Sequence, residues 1–471
     1  MNQQGSLPAD KLSSRPEYGS FRTESPPKLT LKSNPCITSE THSLLSDIDI
    51  DTGEIDYVVG PKVFQAPPAR TQFLLVDYIA FVVIGTACLW PWNCFLSAAP
   101  YFYVRFEASQ YLQNNSASFI MTISTVTSTL SNLYLSHCHA KANYPRRFIY
   151  ANIINALVFG ILTLSCRFWT TISVEGYFIY LLISVFLSSV GACLGQNGIF
   201  AILHRLPVVY TQALMVGQSI AGVLPASVLI LSTLYTSSKP VAVVTPDLDE
   251  TLGTAIYFAT ASLISLAGLG LFYMVVRRNP HALAKSDNIH QTNKAHVSLM
   301  SLAQQLRGPA STIVLVFSVT LIFPVFAANV MPITTSGSQF SKPELFVPLA
   351  FLVWNLGDLT GRSLCAIQSL VVRKPRSMVA YGLLRFVFII FLLMCNVRDR
   401  GAMVDSDVFY LMVLFMFGVT SGHLSSSCMM MAASFVPDGV KEAAGGFMIL
   451  CLSVGLALGS VFSFVFVRLI E

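Results

Sequence analysis

Two charged residues, Asp358 and Arg362, stand four apart in a long apolar segment, Leu345 to Val372. Both belong to the run Trp354-Asn355-Leu356-Gly357-Asp358-Leu359-Thr360-Gly361-Arg362. If the segment crosses a bilayer as a helix, both charges lie near mid-depth on one face. An unpaired charge there costs at least a few kcal/mol, so each must face protein or water and have a partner. Residues spaced four apart are neighbours on a helix, so the two can partner each other. A carboxylate beside a guanidinium inside a membrane implies a cavity lined with polar groups, and hence a transporter.

Further polar elements sit in other apolar segments. Leu89-Trp90-Pro91-Trp92-Asn93-Cys94 places a proline, which removes a backbone donor and is expected to kink the helix, beside Trp92 and the Asn93 amide. Tryptophan also favours membrane interfaces, but the span runs about ten residues past Trp92, which argues for a deeper position. Gly195-Gln196-Asn197-Gly198 sets two amides between glycines. Gly217-Gln218-Ser219-Ile220-Ala221-Gly222 reads either as a polar site or as close helix packing with Gln218 as an interhelical hydrogen bond. Phe323-Pro324 marks a second kink, and Gly455-Leu456-Ala457-Leu458-Gly459 a packing face. An aromatic face, amides that donate and accept, and a carboxylate–guanidinium pair together suit a flat heterocycle bearing hydroxyls, as in a nucleoside.

The elements that must position these groups follow from composition. Hydrophobic residues make up 54% of the 471 and charged residues 11%, less than half of the roughly 25% usual in soluble domains. The chain reads as an all-α polytopic membrane protein. Eleven apolar spans, each near the ~20 residues that cross the hydrocarbon, run roughly 73–101, 116–136, 148–170, 177–203, 208–235, 252–276, 310–333, 345–372, 379–397, 407–435 and 441–469. With the N-terminus cytoplasmic, the loops after even-numbered spans carry thirteen Lys and Arg against seven on the opposite side. That orientation puts the C-terminus outside or in a lumen.

The reading divides the chain into a disordered tail (1–70), a six-helix bundle (71–276), a cytoplasmic linker (277–309) and a five-helix bundle (310–471). A 6+5 division around a linker is a layout that supports alternating access. The polar tail lacks the apolar surface to fold alone. It holds Glu40-Thr41-His42-Ser43-Leu44-Leu45, the acidic dileucine form read by clathrin adaptor complexes, with Glu40, Leu44 and Leu45 as its key residues. Asn114-Asn115-Ser116 is a glycosylation sequon, close to the start of the second span.

Several classes are excluded. The net charge of +5 is spread over loops, without the basic stripe that nucleic acid requires. No phosphate-binding loop and no His-Glu-x-x-His cluster is present, so neither ATP-driven transport nor a metalloenzyme is indicated. Neither a metal nor a cofactor is expected. Ten cysteines without a Cys-x-x-Cys read as small apolar packing residues.

Four motifs in order give a resemblance to the equilibrative nucleoside transporter family. They are Pro91-Trp92-Asn93; the Gly-Gln-x-x-Ala-Gly run from Gly217 to Gly222; Asn355, Asp358, Gly361 and Arg362 of Asn-x-x-Asp-x-x-Gly-Arg; and the stretch 455–464. The resemblance extends from about residue 73 to the end. It implies eleven helices in a 6+5 arrangement like that of the major facilitator superfamily, with no enzymatic activity. It implies that Trp92 lines or stacks on the nucleobase, Gln196 hydrogen-bonds it, and Asp358 and Arg362 address the ribose. It places Leu89, Leu96 and Asn355 at the substrate, and Asn93, Phe323, Gln218 and Leu456 at the cavity wall or gate.

Leu96 stands where relatives commonly have Met. The dileucine-bearing tail is more like that of the intracellular, vacuolar or lysosomal members than of those in the plasma membrane. The expected activity is facilitated diffusion of nucleosides, with nucleobases left open. Proton-linked transport and carriage of another small polar solute are the alternatives. An adjacent cation favours a carboxylate's charged form, which weighs toward uncoupled transport.

Overall fold

A computed structural model describes residues 74–139, 142–169, 172–237, 246–278, 297–333 and 343–470. The dileucine motif, including Glu40, Leu44 and Leu45, lies outside the described residues, as do the whole of the 1–70 segment and much of the 277–309 linker. The described residues belong to one unit, Arg70–Glu471.

The described residues of that unit are mostly helical. The helices are α1 (Leu75–Ser97), α2 (Ala99–Arg105), α3 (Gln110–His137), α4 (Tyr144–Phe168), α5 (Val174–Leu203), α6 (Val208–Ser237) and α7 (Pro246–Arg278). After these come α8 (Leu299–Gln305), α9 (Arg307–Thr320), α10 (Phe323–Asn329), α11 (Pro343–Leu364), α12 (Pro375–Leu384), α13 (Val387–Leu393), α14 (Asp407–Met431) and α15 (Lys441–Ile470). Side-chain caps set several starts: Asn143, Ser173 and Ser406 accept from the backbone N–H groups of Arg146, Gly176 and Phe409.

Proline has different effects in different helices. Pro91 lies within a continuous α1, whereas Pro324 follows the joint that separates α9 from α10. A proline leaves a carbonyl one turn earlier without its donor, so a helix either bends or parts there.

Among the described residues, nine helical segments are long and apolar enough to cross a membrane; α9–α10 and α12–α13 each count as one. Two more long helices fall outside that set: α3, 28 residues rich in Ser, Thr and Asn, and α11, 22 residues, which holds Asp358 and Arg362. The surface is apolar and the interior partly polar. Leu157, Leu164, Leu231, Leu263 and Phe464 stand exposed, while Asn132, Asn152, Asn155, Ser188 and Thr312 are buried. With lipid as solvent, apolar groups face outward and polar groups must find partners inside. Asn155 accepts from Ser188 at 2.9 Å, and Ser189 donates to Ser124 at 3.0 Å.

Helices α11 and α14 pack backbone to backbone. A Cβ at Gly357 or Gly361 would collide with the carbonyls of Phe415 or Val419, and one at Gly418 or Gly422 with those of Trp354 or Asp358. Glycines spaced four apart on both helices let the two backbones touch. Helix α6 packs on both α1 and α11, and α15 packs on α3, α5 and α9.

Candidate functional site

Helix α11 carries Asp358 and Arg362 into the seam with α6, where they are 5% and 7% exposed. Arg362 Nε donates to Asp358 Oδ2 at 2.8 Å, the pairing that the four-residue spacing implies. The rest of the bonding crosses to α6. Ser219 Oγ donates to Asp358 Oδ2 at 2.5 Å. Arg362 Nη1 donates to the Met215 carbonyl at 3.2 Å and to Gln218 Oε1 at 3.3 Å. Gln212 Nε2 donates to the Arg362 carbonyl at 3.3 Å, and its Oε1 accepts from Tyr78 OH at 2.8 Å. Each partner lowers the cost of holding charge away from water.

The pair is not fully used. No hydrogen bond from a described residue reaches Asp358 Oδ1 or leaves Arg362 Nη2. One carboxylate oxygen, which lies toward Gly422 of α14, and one guanidinium nitrogen are thus without a hydrogen-bond partner among the described residues. That arrangement can accept from a hydroxyl and donate to an adjacent oxygen of the same small molecule.

Other sequence-derived residues fall into three groups. Trp92, Gln196, Asn355, Leu89 and Leu456 are half-buried, and Leu96 is exposed. Trp92 and Leu89 edge an aromatic cluster built on Trp90, Phe95 and Phe159. Gln196 makes no hydrogen bond with a described residue, which leaves its amide available. The second group is engaged locally. Asn93 Nδ2 donates to the Leu89 carbonyl at 3.1 Å, and Asn355 Nδ2 to the Phe351 carbonyl at 2.8 Å. Asn355 Oδ1 faces Gly222, where a Cβ would strike it, so that glycine of the α6 run makes room for the amide. Gln218 is buried and accepts from Arg362 in an interhelical hydrogen bond. The third is Phe323, at the α9–α10 joint, which stacks on Trp354 with ring centroids 4.9 Å apart at 13°. Asn114 is exposed on α3, while Ser116 of the sequon is buried.

A second seam joins α3, α5 and α15 at the end of the molecule where α5 finishes. Asn197, beside Gln196, accepts from Arg147 Nη1 at 2.5 Å, and Gly446 packs against its amide. Arg147 also donates to the carbonyls of Leu135 and Cys138. Asn132 donates to Ser453 at 2.7 Å and Ser136 to the Gly446 carbonyl at 3.2 Å. Below them, His204 lies between the carbonyls of Met429 (3.1 Å) and Lys441 (3.3 Å). Arg205 pairs with Glu442 at 2.9 Å. Burial pulls the His204 imidazole down to about 4.

The sequence reading missed Arg385, which is fully buried at the break between α12 and α13. Its Nη1 donates to the Val316 carbonyl at 3.0 Å and its Nη2 to Thr320 Oγ1 at 3.1 Å, both on the last turns of α9. The guanidinium lies over the Phe417 ring, 4.7 Å from its centroid. A helix C-terminus attracts cations, so Arg385 braces α9 at its joint with α10. The available signal was a lone arginine in an otherwise apolar span.

Comparison with known proteins places the chain in a family. The family model described as Nucleoside transporter matches residues 182–285 and 276–468. The chain is 31% identical over 466 residues to "Nucleoside transporter FUN26" of Saccharomyces cerevisiae, with 89% of each chain covered. It is 27% identical to human "Equilibrative nucleoside transporter 1", covering 83% of this chain and 96% of the relative. Among solved structures, the proton:xylose symporter XylE of the major facilitator superfamily aligns with TM-score 0.53 at 13% identity, covering 83% of this chain and 87% of its own. The human organic anion transporter MFSD10 aligns with TM-score 0.54 at 14% identity, covering 84% and 95%. At that identity the structural likeness shows the fold alone. By sequence, over nearly its whole described length, this chain belongs to the equilibrative nucleoside transporter family.

Proposed function

We propose that this protein carries nucleosides across a membrane down their gradient by alternating access. The observation that carries the reading is the buried Asp358–Arg362 pair, whose Oδ1 and Nη2 have no hydrogen-bond partner among the described residues. That carboxylate oxygen accepts from a ribose hydroxyl and that guanidinium nitrogen donates to a neighbouring sugar oxygen. Half-buried Trp92 and Gln196 serve the base, one by stacking and one by its free amide. Leu89, Leu96, Asn355 and Leu456 complete the cavity wall, with Asn93, Gln218 and Phe323 behind it.

The reading takes α3 and α11 as spans beside the nine more apolar segments, since both exceed the ~20 residues a crossing needs. Eleven spans then divide 6+5, with α1, α3, α4, α5, α6 and α7 in the first bundle, residues 277–309 as linker, and the remaining five in the second. The N-terminus lies in the cytoplasm. The α3/α5/α15 seam closes the cytoplasmic end in this conformation, and substrate enters from the opposite side. Rocking of the bundles exchanges that seam for one at the other end. The dileucine residues Glu40, Leu44 and Leu45 favour a vacuolar or lysosomal membrane reached through adaptor complexes. Asn114 is the acceptor if the lumenal sequon is used.

Flux of uridine and adenosine into proteoliposomes, with no ion gradient imposed, tests the reading. Saturable uptake that stops at equal concentrations on both sides is expected. Uptake no greater than that of empty liposomes, from folded protein, overturns nucleoside carriage. Uptake that concentrates substrate only under a pH gradient overturns the uncoupled mechanism.

A further inference from the structure

The loop between α11 and α12 holds a cavity of about 460 Å³, lined by Gln368, Ser369, Val372, Arg373, Lys374 and Ser377 among others. Its chemistry is one-sided: two cations, two hydroxyls and an amide, with no Asp or Glu anywhere from residue 359 to 398. Arg376 follows Pro375, and Arg307 lies just across, because Gly308 of α9 packs on the Pro375 ring. All four cations are exposed, and none of them is ion-paired among the described residues. The carboxylates at the α5/α15 end are committed elsewhere: Glu442 to Arg205, and Asp438 to Lys441.

The position is as specific as the charge. Arg307 opens one membrane-crossing segment and Pro375 another, so the cluster lies where two apolar helices begin. Beside it, Ile367 and Leu370 of the same loop are 53% and 45% exposed. Exposed aliphatic groups next to unpaired cations match the boundary between acyl chains and headgroups. The loop is also anchored. The Leu370 carbonyl meets His423 Nε2 at 3.0 Å, and Val372 N–H donates to Ser427 Oγ at 3.3 Å, both on α14. The cavity therefore has a fixed floor.

We infer that this loop binds the phosphate-bearing headgroup of an anionic phospholipid from the adjoining leaflet. Arg373 and Lys374 engage the phosphate, Ser369, Ser377 and Gln368 bond the polar headgroup, and Ile367 and Leu370 contact its acyl chains. Such a lipid is held against α11, the helix that bears Asp358 and Arg362. The inference rests on the membrane-spanning reading but not on nucleoside carriage, so the two can fail separately.

The test uses the full chain in nanodiscs of phosphatidylcholine with a few per cent phosphatidylinositol 4-phosphate. Lipid retained after extraction is measured by native mass spectrometry. Wild type is expected to retain the anionic lipid. Arg373→Gln/Lys374→Gln should weaken retention by about twenty-five-fold, from about fivefold per cation near a charged headgroup. Lys374→Gln alone, whose side chain makes no hydrogen bond with a described residue, should give about fivefold and serves if the double variant is unstable. Arg146→Gln, an exposed cation at the start of α4, should leave retention unchanged. Equal loss at Arg146 would mean diffuse charge attraction and overturn a defined site. Displacement of the lipid by millimolar inorganic phosphate would assign the cavity to a soluble anion instead and overturn the lipid assignment.

Discussion

Two seams cross between the helices that precede residue 278 and those that follow it, and they are built differently. At α6/α11 a complete ion pair is buried among Ser219, Gln218 and the Met215 carbonyl. At α3/α5/α15 small residues and amides do the joining, and the charged pair Arg205–Glu442 reaches the rim on its arginine side, the side chains being 20% and 9% exposed against 9% and 7% for Arg362 and Asp358. Charge buried with its partners is costly to expose by halves, whereas a rim pair trades protein contacts for water with little loss. The first seam is thus suited to persist through a transport cycle while its partners rearrange around substrate. The second is suited to open and close.

The largest test of that contrast is Asp358→Asn. It leaves Arg362 buried without its carboxylate, a change that costs about 3–5 kcal/mol. Uridine flux at equal protein abundance is expected to fall by about tenfold or more, since a charge-assisted hydrogen bond to substrate contributes about 1.5–3 kcal/mol and ~1.4 kcal/mol corresponds to a factor of ten. Flux within twofold of wild type would remove the pair from the mechanism. Next comes Gly361→Val, which forces a side chain into the Val419 carbonyl. Overpacking of this kind costs about 1–3 kcal/mol, to be read as a lowered unfolding temperature in detergent.

Acid probes the opening seam. His204 is held near 4, below the 6.5 of a solvated imidazole, among Lys441, Arg205 and Glu442. Above pH 6.5 the ring is neutral whether the seam is closed or open, and protonation favours neither. As pH falls from 6.5 toward 4, the open form binds the proton first, and closure weakens by up to about tenfold per pH unit. Alkylation of a cysteine at the buried Ala444 position, normalised to unfolded protein at each pH, should therefore rise between pH 6.5 and 5. His204→Gln should flatten that rise. The smallest effect is expected from Arg205→Gln, about 1 kcal/mol or less for a partly exposed pair. It should raise the same alkylation rate at neutral pH by a few-fold and leave the unfolding temperature nearly unchanged.

Charge in an apolar context made Asp358 and Arg362 legible, and their spacing foretold the bond between them. The bonds to Ser219, Gln212 and Met215 were not legible, because nothing in a sequence says which face of α6 meets α11. Gln218 shows the same limit: the run around it fits either a site or a packing contact, and nothing in it names Arg362 as the partner. Arg385 was visible by the same criterion as Arg362, but it has no carboxylate at helical spacing. Its partners are carbonyl and hydroxyl oxygens of α9, which carry no signal of their own. Hydropathy alone ranks α3 and α11 below the other long helices, because both carry the polar groups that serve their seams.

The glycine contacts between α11 and α14 have a practical use. Backbones that touch at four points leave no room for sliding, so these helices form a single rod. Spin labels on the outward faces of the two, for example at Leu356 and Met412, should report one narrow distance whatever substrate or inhibitor is present. That invariant distance provides an internal ruler against which every other pair of helices can be timed.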